Sequence, residues 1–390
     1  MSSSRLRWAL VASVIAVIAV AFTAASQSRP TKTSARAHAV KTHATAADLA
    51  YVRAQIAKAK AITKFTPPGP AFDAKKAAGK TVFNIPIASQ IPFVNTIDKA
   101  MQAVAKKVGV KFIEFPNQGQ PSQWVTGINQ AIAQKVDLID LQAAPNPYFL
   151  QPQLKAAKKA GIPVTVTHLL DIHQPFPPNV TALVPIDFTT AARWEADWAI
   201  LQTKGHANVF IIKSAEVVPS NTIVAAIQDE LKKHCGTACK SRVVNVPVTD
   251  WATKIQSEVQ SALTADPGVN YVIPIYDSMS QFAAPAITAA GKVGKVHIAT
   301  FNGTPFVMKM LQTGNIVDFE VGENLDWIGY GNMDQNMRIL AGLKPVKTEN
   351  LALRAFTKDN IKQAGTPPAV NVGYGNAYLK GYSKLWGLSK

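Results

Sequence analysis

Two spacings of apolar residues alternate along this chain from about residue 80 onwards. Short β-rich runs occupy 81–88, 110–115, 137–142, 162–167, 180–186, 207–213, 242–247, 270–275, 296–301 and 315–321. Most gaps between them carry a helical period. Pro92 suits a first helical turn because its missing N–H is unpaired there, and Val94, Ile97, Met101, Val104 and Val108 then recur every 3–4 residues. The stretches "WVTGINQAIAQ" (124–134), "YFLQPQLKAAKKAG" (148–161) and "WATKIQSEVQSALTA" (251–265) repeat the pattern. Such alternation predicts parallel sheets with helices on both faces. Ten strands suit two sheets better than one, so the expected fold class is α/β with two doubly wound parallel-sheet lobes.

The first 79 residues read differently. Arg5 and Arg7 precede the apolar stretch "WALVASVIAVIAVAF" (8–22), and "FTAAS" then offers small residues for cleavage near Ala25. Residues 1–25 are expected to be a signal peptide, which implies export to the periplasm or the outer side of the cell envelope. The alternative is an uncleaved anchor, because the run approaches the ~17 residues that a membrane span needs. Residues 26–79 read as a basic linker with an amphipathic helix at 46–63 and a breaker, "FTPPGPAF", at 65–72. The folded body is expected to begin near Lys80.

The net charge of +17 matters through its location. Residues 1–80 hold 13 Lys/Arg against 2 Asp/Glu, whereas 81–390 hold 28 against 22. The body shows only pairs such as Lys106-Lys107, a solvated helix surface and not a phosphate-gripping cluster, so nucleic acid is not an expected partner. The chain has 2 cysteines, Cys235 and Cys239, in "HCGTACK". In an exported protein a close pair across a turn reads as a local disulfide. A metal site with His234 would crowd three ligands onto one short loop, a poor fit to tetrahedral geometry.

In doubly wound sheets ligands sit beyond the carboxyl ends of the strands. The junction after the first strand carries Ser89, Gln90 and Phe93. Later strand ends carry Gln142, His168, Asp187, Trp251, Tyr276, Asn302 and Glu323. Aromatic faces mixed with amides and carboxylates suit a polar, hydroxylated small molecule, whose C–H faces stack while its hydroxyls take oriented hydrogen bonds. The segment "HLLDIH" offers His168, Asp171 and His173 to a metal, but it runs into the loop "QPFPPN" and reads as a cleft edge. There is no Gly-x-Ser-x-Gly elbow and no Gly-x-Gly-x-x-Gly after a strand, and "GKT" at 79–81 lacks the upstream Gly of a phosphate loop. Neither catalysis nor a cofactor is expected.

Four segments together carry a family resemblance: "SQIPFVNTIDKAMQAVAKKVGV" (89–110), "AAKKAGIPVTV" (156–166), "YDSMSQFAAPAITAAGKVGKVHIATFNGTP" (276–305) and "GNIVDFEVGENLDWIG" (314–329). Across 80–345 the chain resembles type I periplasmic binding proteins of the ribose/galactose class, the sugar-binding subunits of ABC importers. The resemblance implies two α/β lobes joined by a hinge of three crossovers, closing on a ligand. Lobe 1 would comprise 80–186 plus 324–345, and lobe 2 would comprise 187–323 plus 346–390 with the tail. It implies a monomer that delivers a small molecule to a membrane permease. Phe93 would take a ring-stacking place, with Trp251 facing it from lobe 2.

Elsewhere the sequence departs from the sugar pattern. Where the family often has Asp-Arg at the fourth strand's end, this chain has His168-Leu169, and a second pocket Arg falls at Ile223. Asn302 stands for an Asp, Tyr276 for an Asn and Glu323 for a Gln. Loss of both Arg and an Asp removes charge-assisted bonds to ring hydroxyls and points to a neutral or weakly cationic ligand. The alternatives are a sensor that docks on a membrane receptor, or a non-sugar ligand. The tail residues Tyr374, Tyr378, Tyr382 and Trp386, four apart, read as a packing stripe docking on lobe 2.

Overall fold

The computed structural model describes residues 41–143 and 145–388; the expected signal peptide and the first part of the linker lie outside the described residues. The chain enters through α1 (Ala46–Lys60), and the first sheet then forms from β1 (Thr81–Pro86), β2 (Lys111–Glu114), β3 (Leu138–Gln142), β4 (Val164–Asp171) and β5 (Ala182–Ile186). Helices α2 (Pro92–Val108), α3 (Pro121–Ala133) and α4 (Gln151–Lys159) connect these strands. All pairs are parallel, in the order β2-β1-β3-β4-β5.

The second lobe repeats the plan. Helix α5 (Phe188–Gln202) leads into β6 (Asn208–Lys213), α6 (Ser220–Cys235), β7 (Lys240–Asn245), α7 (Trp251–Ala265) and β8 (Tyr271–Pro274). Then follow α8 (Ser280–Ala289), β9 (His297–Asn302), α9 (Pro305–Thr313) and β10 (Val317–Glu323). Helix α10 (Leu325–Leu340) crosses back to the first lobe, and β11 (Leu353–Phe356) and α11 (Ala377–Leu385) complete the chain. The order is β11-β10-β9-β8-β6-β7, parallel except that β11 runs antiparallel to β10. The two-lobe α/β plan predicted from the alternation is therefore present. Strand β11, four residues long, carries too little pattern to read in advance.

Successive side chains of a strand face opposite sides, and β1 shows the result. Val82 joins the core under α2, while Phe83 and Ile85 join a separate core under α3 and α4. Helix α2 buries the stripe Val94, Ile97, Met101, Val104 and Val108, and it ends at Gly109 with φ 92°. Helix α10 packs so closely on it that a Cβ at Gly329 would lie 2.7 Å from Ala100 Cβ. A buried polar layer lies beneath these helices: Asn84 donates to Asp98 (2.7 Å), and Asn332 and Asn336 both donate to Asp140.

The expected linker is part of the fold from residue 41 onward. Thr45 caps α1 with a reciprocal Asp48 bond, and Val52, Ile56 and Ala59 are buried against α5, α6 and β11. The strap after α1 then interlocks with the tail: Phe72 N–H donates to Leu385 O (2.8 Å) and Ala74 N–H to Trp386 O (3.2 Å). The folded body thus starts well before Lys80. The tail stripe also departs from expectation. Tyr378 stacks on Trp327 at 5.2 Å and Trp386 on Tyr330 at 5.6 Å, both on α10 against the first lobe. Only Tyr374 packs in the second lobe, edge-on to Phe356 at 5.3 Å.

Cys235 and Cys239 form a disulfide at the end of α6, with a Cα–Cα distance of 5.4 Å. Among the described residues no helix is long and apolar enough to cross a membrane.

Candidate functional site

After Pro86 the chain turns through 87–91 into α2. Ser89 holds that turn: its N–H donates to Asn117 O (3.0 Å) and its Oγ accepts from Asn117 N–H (3.1 Å). Gln90 is exposed and does not line the cavity described below. The turn positions Phe93, half-buried in the first turn of α2, over a cavity of about 100 Å³. The far wall belongs to the second lobe and the crossover: Asn302, Thr304, Pro305, Glu323 and Leu325.

His168 reaches the same place through an irregularity. Pairing of β4 with β5 is regular to Thr167, shifts, and resumes at Asp171, with His168 at φ 57° in between. The strand therefore runs past the expected end at Thr167. Here the left-handed backbone redirects one side chain, a known use of such bulges beside sites. The His168 ring lies edge-on to Phe93 at 4.9 Å and to Phe188 at 5.7 Å, and Phe188 meets Phe301 at 5.6 Å. His168 Nε2 is 2.6 Å from Glu323 Oε1, joining the two lobes directly. Glu323 is 3% exposed, and its second oxygen has no protein partner. Among the described residues the cavity lining holds no Lys or Arg, so its only formal side-chain charge is a carboxylate.

The β9–α9 junction is held from below by two buried acids. Asp277 accepts from Thr304 N–H (2.7 Å) and from the Thr304 hydroxyl (2.8 Å), while Glu320 accepts from Gly303 N–H (2.7 Å). Burial pushes Asp277 up to about 6, and burial together with the Asp277 charge raises Glu320 well above the usual carboxylate range. The bonds fix the backbone that carries Asn302.

The other candidates are placed elsewhere. Gln142 is fully buried at the end of β3 with both amide atoms unpaired. Asp187 caps α5, accepting from Thr190 N–H (2.9 Å). Trp251 Nε1–H donates to Ser214 Oγ (2.8 Å), and its ring lies 5.9 Å from Tyr276. That pair is part of the second lobe and does not line the 100 Å³ cavity. Donor atoms of Asp171, His173 and Asp187 lie within 4.8 Å of one another. Asp171 already accepts from His173 N–H (2.8 Å) and Thr189 N–H (2.7 Å), bonds that shape the loop.

Sequence reasoning missed Phe188, Leu325, Val370 and Asn371. The last two come from the tail and complete the cavity wall. A signal existed in "NVGYGN" (371–376), where Asn and Gly mark left-handed backbone, and Asn371 has φ 65°.

The sequence profile of the periplasmic binding protein domain family matches residues 82–344. The chain belongs to this family. No curated protein matches it by sequence. Among solved structures, an ABC sugar transporter subunit from Rhodobacter sphaeroides superposes with a TM-score of 0.62 at 20% identity, covering 73% of this chain and 99% of that one. An ABC transporter solute-binding protein from Agrobacterium vitis with bound allitol gives 0.64 at 17% identity, covering 74% and 98%. The glucose-galactose binding protein GanP from Geobacillus stearothermophilus gives 0.62 at 20% identity, covering 72% and 98%. At these identities the likeness is one of fold.

Proposed function

We propose that this chain is an exported solute-binding protein that holds a small, neutral, hydroxylated molecule, a sugar or polyol, between its lobes and presents it to an ABC transporter permease. The carrying observation is the convergence of Phe93 and His168 from one lobe with Asn302 and Glu323 from the other, at strand carboxyl ends. The Phe93 ring supplies a face for C–H groups, and Asn302, His168 and Glu323 supply hydrogen bonds. Glu323 Oε2, buried and unpaired, would accept from a ligand hydroxyl. With a carboxylate and no cation lining the cavity, sugar acids are disfavoured. A ligand that touches both lobes favours the closed arrangement over the open one.

Residues 1–25 serve export as a signal peptide, and the protein works as a monomer that leaves its ligand chemically unchanged. The lobes divide as 80–186 plus 324–345 and 187–323 plus 346–390, with the α11 stripe bridging back to α10.

Calorimetry with neutral aldopentoses, aldohexoses and hexitols, beside a uronic acid, tests the reading. A neutral member should bind and the acid should not, and Phe93→Ala should weaken the binding. Preference for the uronic acid would overturn the ligand class, and a chemically altered ligand would overturn the binding role.

A further inference from the structure

We propose that the tail segment Val370–Tyr374 is a fixed wall of the ligand cleft and sets the size of molecule the cleft accepts. The proposal rests on the cleft being the ligand site. The segment lies beyond residue 344, the last residue that the family profile matches. Val370 and Asn371 line the cavity directly, beside Glu323 and Leu325.

Two anchors hold the wall, and each attaches beside a cleft residue. Asn371, at φ 65°, turns its side-chain oxygen onto the start of α10, accepting from Leu325 N–H (2.8 Å) and Asp326 N–H (3.4 Å). That helix start lies two residues beyond Glu323. Tyr374 is 1% exposed, and its hydroxyl presses on Gly303 and Gly322, so that a Cβ at either position would collide with it. Gly303 follows Asn302 and Gly322 precedes Glu323. Both strand ends thus have glycine where the tyrosine needs room, and the tail in turn fixes their positions. Arg354 adds a bond to Gly373 O from β11. The Tyr374 and Arg354 anchors lie on the side of the cleft that carries Asn302 and Glu323, and Asn371 ties the same segment to the crossover at the start of α10.

A wall built this way limits size through Val370, which lines the cavity. Trimming it should admit bulkier ligands, and enlarging it should block a cavity of only about 100 Å³. Pocket-wall changes of one or two carbons alter selectivity by about tenfold or more.

The test is calorimetry on the full chain with an aldopentose, an aldohexose and a disaccharide, comparing wild type with Val370→Ala, Val370→Trp and the neighbouring Val372→Ala, alongside thermal unfolding. Expected are a shift of about tenfold toward the larger probes in Val370→Ala and a loss of about tenfold or more for every probe in Val370→Trp. Val372→Ala should behave like wild type, and all three should unfold near the wild-type midpoint. Phe93→Ala separates the two claims. If it weakens binding while Val370→Trp binds normally, the wall falls and the cleft reading stands. If neither changes binding, or no probe binds wild type, the ligand does not sit here and both fall.

Discussion

His168 Nε2 and Glu323 Oε1 lie 2.6 Å apart, and this contact spans the cleft from the irregularity in β4 to the end of β10. Hydrogen bonds to charged groups contribute about 1.5–3 kcal/mol when well aligned. Here the bond joins the two lobes directly. Glu323→Ala should therefore shift the ligand-free protein toward an open form, while Glu323→Gln, which keeps an acceptor oxygen, should shift it less. Small-angle scattering of the ligand-free proteins reads this as a larger radius of gyration for the Ala variant. Identical profiles would show that the contact does not govern closure.

Stability should fall as pH rises through neutrality. Burial, with the Glu114 charge adding, pushes Asp98 up to about 7, and burial pushes Asp140 up to about 7. Burial and the nearby Glu230 push Asp197 up to about 8. Each stands above the ordinary 3.8, so the folded chain keeps protons that the unfolded chain releases. That contribution is full below about pH 4, falls as pH rises from there, and is fully lost once the folded groups have ionised above about pH 8. Urea midpoints at pH 5 and pH 8 should show the lower value at pH 8. Asp98→Asn keeps an oxygen for the Asn84 amide and removes the titration, so it should flatten the difference.

The lobes were legible because burying a sheet on both faces forces a repeating apolar code, and four segments carry the family's pattern on top of it. The site was legible only in part. Phe93, Asn302 and Glu323 follow from the rule that ligands gather at strand ends, and all three line the cavity. Asp187 and Ser89 sit at strand ends too, yet they spend their polar atoms on local backbone. One-dimensional reading cannot separate a helix cap from a ligand contact when both use the same residue types. The tail's place in the wall was hidden for another reason. Val370 and Asn371 lie 47 and 48 residues beyond Glu323 in sequence, and no periodic pattern joins them.

Phe93 should matter more to binding than Trp251. Burial of a Phe side chain is worth about 1.5–3 kcal/mol, so Phe93→Ala should weaken ligand binding by about tenfold to a hundredfold. The Trp251 indole is committed to Ser214 and packs near Tyr276, away from the cavity lining. Its replacement by Ala should weaken binding less. Calorimetry on the two variants settles the order, and a larger loss in Trp251→Ala would move the site toward the second lobe's aromatic pair.

A chain beginning at Lys80 should be folded but clearly less stable than one beginning at Ser26. The segment ahead of Lys80 looks dispensable by composition, with its Pro-rich breaker and basic character. In the structure it contributes buried Val52, Ile56 and Ala59 from α1, and Phe65, whose ring lies 4.9 Å from Tyr382. It also places the Phe72 ring 4.5 Å from the buried Arg338 guanidinium, which donates to Pro70 O at 3.0 Å. Removing it leaves Arg338 short of one acceptor and uncovers apolar surface on α5 and α10. Each large apolar side chain lost from burial removes about 1.5–3 kcal/mol, partly offset by the entropy regained by the strap. The net should lower the unfolding midpoint by at least about 5 °C. Calorimetric melts of the two chains provide the measurement, and equal midpoints would mean that α1 and the strap lie on the body without stabilising it.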